Sequence, residues 1–389
     1  MTSQAQGTAG GPVLRAAIIG TGRIADLYDD ETLDIRHLDR PQGCVHDNLY
    51  LVKPVSHAGA YRSLPGYRLV AAANRGRERL EDFGRRHGVS ALYTDMYRML
   101  AEEKPDVVSI CTQSEQKHEA VLACAQAGVK AVIVEKAMAT SLKEADEMIA
   151  ACAASGTFLA VHHPMRFSLM WRRAKQLIDE GVIGTLSAVT SYCGSLVHGG
   201  THDFDLMGYL AGPATWVSAR IPRLQKHEED GAGAVYDDLP GDVMIAFENG
   251  VTGFYKGSTP SALGMDVRGT KGYMLLPRGH GQMRLVLRRQ RSAEEFGVTA
   301  PPGGRPVRPL TWEEDVEPWP ERAAADAMSA TQRMLTELYA TLVHGAPFVS
   351  DGVAGRAALE LGIAAYHSAL NNAPVSLPLA DRSLRVRNR

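Results

Sequence analysis

The stretch IIGTGRIA, residues 18–25, places two glycines and an alanine directly after a short apolar segment that starts at Leu14. Between a strand and a helix, this spacing allows a tight bend at Gly20, close approach of the backbone to a pyrophosphate at Gly22 and close packing at Ala25. Backbone amides at the helix start then receive phosphates. The pattern favours a dinucleotide site over an ordinary strand-to-helix turn, with predicted contacts from Gly20, Gly22, Arg23 and Ile24.

Around this turn, apolar strand segments alternate with amphipathic helices. The segment SLKE at 141–144 is a capping box, and Gly128 stands where a helix C-terminal cap is expected. Apolar strands that alternate with helices predict a parallel sheet covered on both faces. We therefore predict a doubly wound Rossmann-type α/β domain over residues 14–163, after a disordered tail at 1–13. Its predicted strands are 14–20, 67–74, 106–112, 130–135 and 157–163.

The pattern changes after a helix that starts near residue 169. Strand-like segments then follow one another with few helices between them, which predicts an α+β domain over 164–389 with an open, mostly antiparallel sheet. Its predicted strands are 187–192, 216–221, 243–248, 251–257, 272–276 and 283–287. A surface loop is expected at 300–309, and helices at 323–343 and 354–369.

Composition excludes several classes of protein. The 389 residues carry a net charge of −2, and no apolar run approaches a membrane span, so we expect neither a nucleic acid nor a membrane as partner. The five cysteines are scattered and form no C-x-x-C pair. They indicate a reduced, cytoplasmic protein.

The end of the second predicted strand bears on the cofactor. Asn74 stands where an aspartate would hold the ribose hydroxyls of NAD, and Arg75 follows it. The missing carboxylate and the nearby guanidinium favour NADP over NAD. The alternative is that Arg75 stacks on adenine or faces solvent. Residues 26–56 are an insertion between these elements, for which we predict a lid or a dimer contact. Within it, Cys44 and His46 have no neighbours that complete a metal set.

Several ordered motifs resemble the glucose–fructose oxidoreductase / inositol dehydrogenase (Gfo/Idh/MocA) family. They are the glycine turn, TQSEQKHEAVLACAQAGVKAVIVEKA, AVHHPMRF, LIDEGVIGTLSAV, GGTHDFDLMGYLAG and NNAPVSLPL. The resemblance runs from Leu14 to about Leu379. It implies an NAD(P)-dependent oxidoreductase of sugars, inositols or their derivatives, whose second domain often forms oligomer contacts. We therefore expect a small carbohydrate or polyol substrate and a homo-oligomer, a dimer or tetramer.

The family's Glu-Lys-Pro motif falls on Glu135, Lys136 and Ala137. At the C-terminal end of a buried parallel strand, Lys136 is expected to face the crevice where ligands bind and to stabilise charge on the reacting oxygen. The alternative is a lysine that reaches solvent. Alanine replaces the family proline, and a cis bond before alanine costs about 2.5–4 kcal/mol, so we expect a trans peptide.

The family's Asp-x-x-x-His motif falls on His198 and His202. Thr201 is the expected N-cap, which makes His202 the first helical residue and a neutral general base. The alternative is a helix-start histidine bonded to backbone. His198 replaces the aspartate, and it can form hydrogen bonds but supplies no negative charge. We expect no metal, because Gly199 and Gly200 disfavour a helix through this pair and no third ligand is evident.

The resemblance implies further contacts. Thr112, Gln113, His118 and Glu135 are expected near the cofactor, and Arg166 and His163, with His162, near substrate hydroxyls. For each of these residues, the alternative to a ligand contact is a hydrogen bond that serves only the fold. Two other functions remain open: a glycoside-cleaving enzyme that works through transient oxidation, and a non-catalytic regulatory protein that binds the cofactor.

Overall fold

A six-stranded parallel sheet forms the N-terminal part of the protein, in a computed structural model that describes residues 11–31, 52–224, 226–230, 233–257, 264–276, 284–287, 297, 302–304, 315–317 and 328–387. The strand order is β3-β2-β1-β4-β5-β6, so the direction of winding reverses between β1 and β4. In such sheets ligands bind at this switch point, outside the carboxyl ends of the strands. The strands are β1 Leu14–Ile19, β2 Tyr67–Ala73, β3 Ala91–Tyr93, β4 Val107–Ile110, β5 Ala131–Glu135 and β6 Phe158–His162.

The predicted Rossmann-type sheet is confirmed, and each of its five predicted strands is present. The sequence analysis missed β3, which has only three residues, all of them half-buried. Such a strand has no continuous apolar run, so sequence pattern gives it no signal.

Helices cover both faces of this sheet. Gly128, with φ of +72°, follows the C-terminal end of α5, as predicted. The Ser141 hydroxyl accepts a hydrogen bond from the Glu144 amide at the start of α6, whereas the Glu144 carboxylate accepts from Thr140. The helices are α1 Tyr28–Glu31, α2 His57–Ser63, α3 Arg77–His87, α4 Met96–Glu103, α5 Ser114–Gln126 and α6 Leu142–Ser155.

A nine-stranded sheet follows, in the order β16-β15-β14-β13-β7-β12-β11-β8-β17. Its neighbours pair antiparallel except β7 and β12, which confirms the predicted mostly antiparallel sheet. The predicted strands correspond to β7 Leu186–Ser191, β8 Ala214–Arg220, β11 Asp242–Phe247, β12 Thr252–Lys256, β14 Gly272–Leu276 and β15 Arg284–Leu287. The remaining strands of the described residues were not predicted, and they are β9 Lys226–Asp230, β10 Gly233–Asp237, β13 Met265–Gly269, β16 Asp315–Glu317, β17 Val375–Ser376 and β18 Arg385–Arg387. Of these, β9, β10 and β18 form a separate three-stranded sheet.

Four longer helices belong to the C-terminal part of the chain: α7 Leu169–Asp179, α8 Gly200–Ala211, α9 Ala330–His344 and α10 Gly352–Asn371. Helix α9 starts at a capping box formed by Ser329 and Gln332. It packs back on the parallel sheet, because Met334 and Leu335 share one apolar core with Ile18 of β1. The predicted domain boundary at residue 163 stays a prediction. Helix α9 follows this boundary in the sequence but packs against elements that precede it.

The predicted insertion at 26–56 lies largely outside the described residues, as do Cys44 and His46. Its two described ends meet, because the Asp29 carboxylate accepts hydrogen bonds from the Val55 amide at 2.6 Å and the Ser56 amide at 3.1 Å. Of the loop expected at 300–309, the described residues 302–304 are exposed. In the described part of the chain, every helix is too short or too polar to cross a membrane.

Candidate active site

The glycine turn after β1 has the geometry that its spacing predicts. Gly20 has φ of +91°, and a Cβ there would lie 2.9 Å from the Thr112 side chain. A Cβ on Gly22 would meet nothing within 4 Å. Gly20 is therefore required by the fold, whereas Gly22 leaves open space in front of the turn.

That space belongs to a cavity of about 1320 Å³, here called the outer cavity, at the carboxyl ends of β1, β2 and β4. It brings together six of the predicted cofactor residues: Gly20, Gly22, Asn74, Arg75, Thr112 and Gln113. The Asn74 side chain accepts from the Thr21 amide at 3.3 Å and donates to the Gly76 carbonyl at 2.9 Å. Asn74 thus joins the glycine turn to the end of β2, and Arg75 beside it is exposed.

A dinucleotide fits the donors and acceptors of the outer cavity. The Thr21 and Thr112 hydroxyls are buried and have no hydrogen-bond partner within the described part of the protein. Unpaired buried hydroxyls are costly, and a polar ligand in the cavity would satisfy them. With the open space before Gly22, they form a cradle for phosphate and ribose oxygens.

A second cavity of about 480 Å³, the inner cavity, continues from the outer one. The two share a common wall, which is formed by Gly22, Leu27, Arg79, Cys111, Thr112 and Gln113. The inner cavity gathers the other predicted residues of the turn and the predicted catalytic residues: Arg23, Ile24, Glu135, Lys136, His198 and His202. Arg23 forms an exposed ion pair with Glu31.

Lys136 and His198 meet through the backbone. The Lys136 ammonium donates to the His198 carbonyl at 3.0 Å. The Asp238 carboxylate accepts from the Val197 amide at 2.9 Å and the His198 amide at 2.6 Å, so it fixes this segment. Burial, followed by the positive charges of Lys136 and Lys117, lowers the pKa of His198 to about 4. The imidazole is therefore neutral near pH 7.

The helix that carries His202 begins earlier than predicted. Helix α8 starts at Gly200 with Gly199 as its N-cap, so His202 is its third residue and the expectation of Thr201 as the cap is wrong. The Thr201 hydroxyl instead donates to the Val197 carbonyl at 2.8 Å. Glycine lacks a capping side chain, and the Ser195 hydroxyl and carbonyl accept the Gly199 and Gly200 amides in its place. His198 lies outside the helix.

The sequence analysis missed Lys117, in the first turns of α5. Its side chain is 2% exposed, borders the inner cavity and donates to the Lys136 and Ala137 carbonyls at 3.0 and 2.8 Å. Burial, with Lys136 adding to it and Glu135 opposing it, lowers the pKa of Lys117 to about 7. A cation near a helix N-terminus opposes the helix dipole, and this was the available signal.

The expectation of a trans peptide between Lys136 and Ala137 is wrong, because this bond is cis. The rule that predicted trans counts only local preferences. It does not include tertiary contacts, among them the two hydrogen bonds that Lys117 donates to the carbonyls on this segment.

Glu135 lies at the centre of a buried polar cluster. Its Oε1 lies 2.9 Å from His57 Nε2 and 2.5 Å from His162 Nδ1. Burial would raise the pKa of Glu135, but His162 and His57 outweigh it and hold that pKa well below its usual range. For His57 burial also opposes the charged form, and the Cys111 sulfur and Glu135 raise its pKa to about 9. His57 carried no signal in the sequence, because nothing local marks its partners.

The same three residues form the one group of three possible metal ligands found among the described residues. They are distinct from the His198 and His202 pair considered from sequence. Their short contacts all converge on one carboxylate oxygen, which is the arrangement of two N–H donors that share an acceptor.

Three predicted contact residues are outside the lining of both cavities, although the His163 ring centroid is 6.1 Å from that of His202. His118 on α5 has its Nε2 2.8 Å from Glu147 of α6. His163 and Arg166 both contact the buried Asp205 of α8, at 2.8 and 2.7 Å. Neither cavity is lined by these three residues. Their predicted roles toward cofactor and substrate stay predictions, and each has a structural contact in this conformation.

Two family models match the chain and together span about half of it. The first, described as an oxidoreductase family with an NAD-binding Rossmann fold, matches residues 51–163. This part of the chain thus matches a family of oxidoreductases with an NAD-binding Rossmann fold. The second, the GFO/IDH/MocA C-terminal domain, matches residues 192–275. The chain belongs to the Gfo/Idh/MocA family, as its motifs indicated.

Curated relatives are distant and match only in part. A D-apiose dehydrogenase of Paraburkholderia graminis is 29% identical over 51% of this chain and 55% of its own length. A myo-inositol 2-dehydrogenase of Thermotoga maritima is 24% identical over 56% of this chain and 70% of its own. The match to the first thus spans about half of that enzyme.

Solved structures share the fold over nearly the whole chain. The WlbA dehydrogenase of Bordetella pertussis, solved with NADH and UDP-GlcNAcA, has a TM-score of 0.67 at 19% identity, over 94% of this chain and 99% of that one. An aldose-aldose oxidoreductase of Caulobacter crescentus has a TM-score of 0.66 at 20% identity, over 94% and 100%. At this identity the likeness establishes the fold alone.

Proposed function

We propose that the protein is an NAD(P)-dependent oxidoreductase that transfers a hydride between the nicotinamide and a hydroxyl or keto carbon of a sugar, inositol or glycoside. The observation that carries the proposal is the continuity of two cavities. The outer one has the glycine turn and unpaired hydroxyls that suit a dinucleotide, and the inner one is lined by Lys136, His198 and His202. The names of the curated relatives agree with this class of substrate.

In the proposed mechanism, the bound nicotinamide supplies the hydride acceptor or donor. His202 takes the proton of the reacting hydroxyl during oxidation and returns it in reduction, as a general base and acid. Lys136 holds the reacting oxygen and stabilises its developing negative charge. The His198 carbonyl and Asp238 fix the position of the Lys136 ammonium. The neutral His198 ring orients the substrate through hydrogen bonds.

The test is a screen of sugars, inositols and glycosides with NAD and NADP, followed at the absorbance of the reduced cofactor. His202→Ala is expected to lower kcat by about 10²- to 10⁴-fold with nearly unchanged cofactor affinity, because it removes proton transfer and no cofactor contact. His344→Ala is the matched control, since this histidine is exposed at the end of α9.

Other results would contradict this role. Loss of cofactor binding in His202→Ala would show that this residue serves the cofactor. Glycoside cleavage without net change in cofactor absorbance would identify the redox-assisted lyase. Tight cofactor binding without turnover of any compound would favour the regulatory protein.

We propose NADP as the preferred cofactor. The Asn74 side chain is hydrogen-bonded to the backbone of Thr21 and Gly76, and Arg75 lines the outer cavity. Further exposed arginines line this cavity, among them Arg77 and Arg79, and Arg79 borders both cavities. A site with guanidinium groups and no carboxylate at the strand end suits a 2′-phosphate.

We also propose a homo-oligomer that forms through the open face of the nine-stranded sheet. Met244 and Phe254 are directly opposite each other on β11 and β12, and they are 39% and 37% exposed. Exposed apolar side chains on one face indicate a contact surface. A monomeric mass in light scattering would contradict this proposal.

A further inference from the structure

The buried cluster beside the inner cavity is a chain of hydrogen bonds. The Tyr61 and Ser109 hydroxyl oxygens are 2.7 Å apart, and Ser109 Oγ is 2.9 Å from His57 Nδ1. His57 Nε2 and His162 Nδ1 both contact Glu135 Oε1. Glu135 and His162 border the inner cavity, whereas His57 lies behind them and is fully buried.

This network of hydrogen bonds fixes which nitrogen of the neutral His162 ring carries the proton. A carboxylate only accepts hydrogen bonds, so the 2.5 Å contact places the proton of His162 on Nδ1. In the neutral ring, Nε2 then carries a lone pair and acts as an acceptor. His57 donates to the same Glu135 oxygen, and its ring lies edge-to-face against the His162 ring with their centroids 4.7 Å apart, so it restrains both the carboxylate and that ring.

The chain of hydrogen bonds ends at Nε2 of His162. This nitrogen is buried, in a residue that is 2% exposed, and it has no hydrogen-bond partner among the residues that the structure describes. An unpaired buried nitrogen is costly in a native protein. Because His162 borders the cavity that also holds Lys136 and His202, a ligand there can supply the missing donor.

We propose that His162 is a substrate-binding residue whose Nε2 accepts a hydrogen bond from a substrate hydroxyl other than the reacting one. The proposal rests on the proposed function, because it adds a contact to the same substrate. It specifies a polyol substrate with a further hydroxyl near the reacting carbon. Glu135 and His57 are positioning residues, because they keep Nδ1 of His162 as the donor to the carboxylate and leave Nε2 as the nitrogen available to the substrate.

Two variants test the two ring nitrogens of His162 separately. In His162→Asn the amide keeps a donor for Glu135 but does not reach the position of Nε2, whereas in His162→Gln the amide oxygen reaches it. The probes are D-glucose, methyl β-D-glucoside and myo-inositol, each compared with its monodeoxy analogues. For the intact compound, His162→Asn is expected to lower kcat/KM by about 10- to 100-fold, and His162→Gln to recover most of the loss. For one deoxy analogue, which lacks the bound hydroxyl, the wild type and His162→Asn should be equal.

Cofactor affinity should stay constant in both variants, which distinguishes this role from a general structural one. His367→Asn is the matched control, because His367 on α10 lies 4.0 Å from the carboxylate of Asp381 and away from both cavities. Equal losses for the intact compound and all its deoxy analogues would overturn the proposal. So would a stoichiometric transition metal in the purified protein whose chelation abolishes activity, since the cluster would then be a metal site.

A readout without turnover separates the proposal from the proposed function. In ¹⁵N-histidine-labelled protein, the Nε2 resonance that disappears in His162→Gln should have the shift of an unprotonated nitrogen and should move when myo-inositol is added. If the resonance moves but no compound is oxidised, the His162 contact is retained and the proposed oxidoreductase activity is contradicted. If a compound is oxidised but the resonance does not move and the deoxy analogues react alike, the His162 contact alone is overturned.

Discussion

The outer and inner cavities adjoin each other but are built in different ways. The outer cavity follows a local turn, in which one glycine has a left-handed backbone and another leaves open space. The inner cavity assembles titratable side chains from α5, β5, β6 and the start of α8, among them the buried Lys117 and Glu135. A backbone cradle can be specified by a few adjacent residues, whereas a cluster of buried charges requires distant segments to compensate one another.

The largest expected effect concerns Lys117 in the inner cavity. Its pKa of about 7 in the folded protein lies below the ordinary value of 10.5. Between these values the unfolded chain holds a proton that the folded protein lacks, so this group makes the free energy of unfolding rise with pH. We therefore compare the free energy of unfolding of the wild type with that of Lys117→Met. From pH 7 to 9, the wild-type free energy minus the variant's should increase by up to about 1.4 kcal/mol per pH unit.

Urea denaturation at pH 7, 8 and 9 measures this difference, with the exposed Lys143→Met as control. His57 acts in the opposite sense, because its raised pKa contributes stability below pH 6.5 that is lost as the pH rises through 9. That contribution is common to both proteins and cancels in the difference. A constant difference would mean that Lys117 stays protonated when buried.

An intermediate effect should separate the two glycines of the outer cavity. Gly20→Ala forces a side chain into a left-handed backbone against Thr112, and we expect a loss of about 1–3 kcal/mol in the free energy of unfolding. Gly22→Ala has room in the protein, so its Tm should be unchanged while its affinity for NAD and NADP falls. Thermal unfolding and cofactor titration measure the two quantities. Equal cofactor affinity in Gly22→Ala and the wild type would contradict the assignment of the outer cavity.

The smallest expected effect is on cofactor choice. Asn74→Asp places a carboxylate at the end of β2, where it can bind ribose hydroxyls and repel a 2′-phosphate. We expect the ratio of kcat/KM for NADP to that for NAD to fall by about tenfold, which is about 1.4 kcal/mol. Arg75→Ala should lower the same ratio by weakening NADP binding alone. The control is Arg68→Ala, an exposed arginine on β2 that lines neither cavity. An unchanged ratio in both variants would exclude the proposed 2′-phosphate site.

Much of the fold was predictable because its signals are local. Apolar segments that alternate with amphipathic helices specified five of the six parallel strands. Strands β3 and β17 were not predictable, because three and two residues carry no period and acquire strand geometry from their neighbours. Strand β9 was missed for another reason, since its five residues KHEED include no apolar side chain. The packing of α9 on the parallel sheet was also missed, since its apolar face has the same pattern whichever core it joins.

The sequence by itself determined the glycine turn, the parallel sheet and the order of motifs that marks the family, because each depends on residues close together in the chain. Only the tertiary structure determined the buried partners of the site. Lys117 reaches the peptide after Lys136, Asp238 fixes the segment at His198, and Glu135 joins His57 to His162. A buried charge is stable only beside its partner, and no local pattern of the chain records which partner folding will bring.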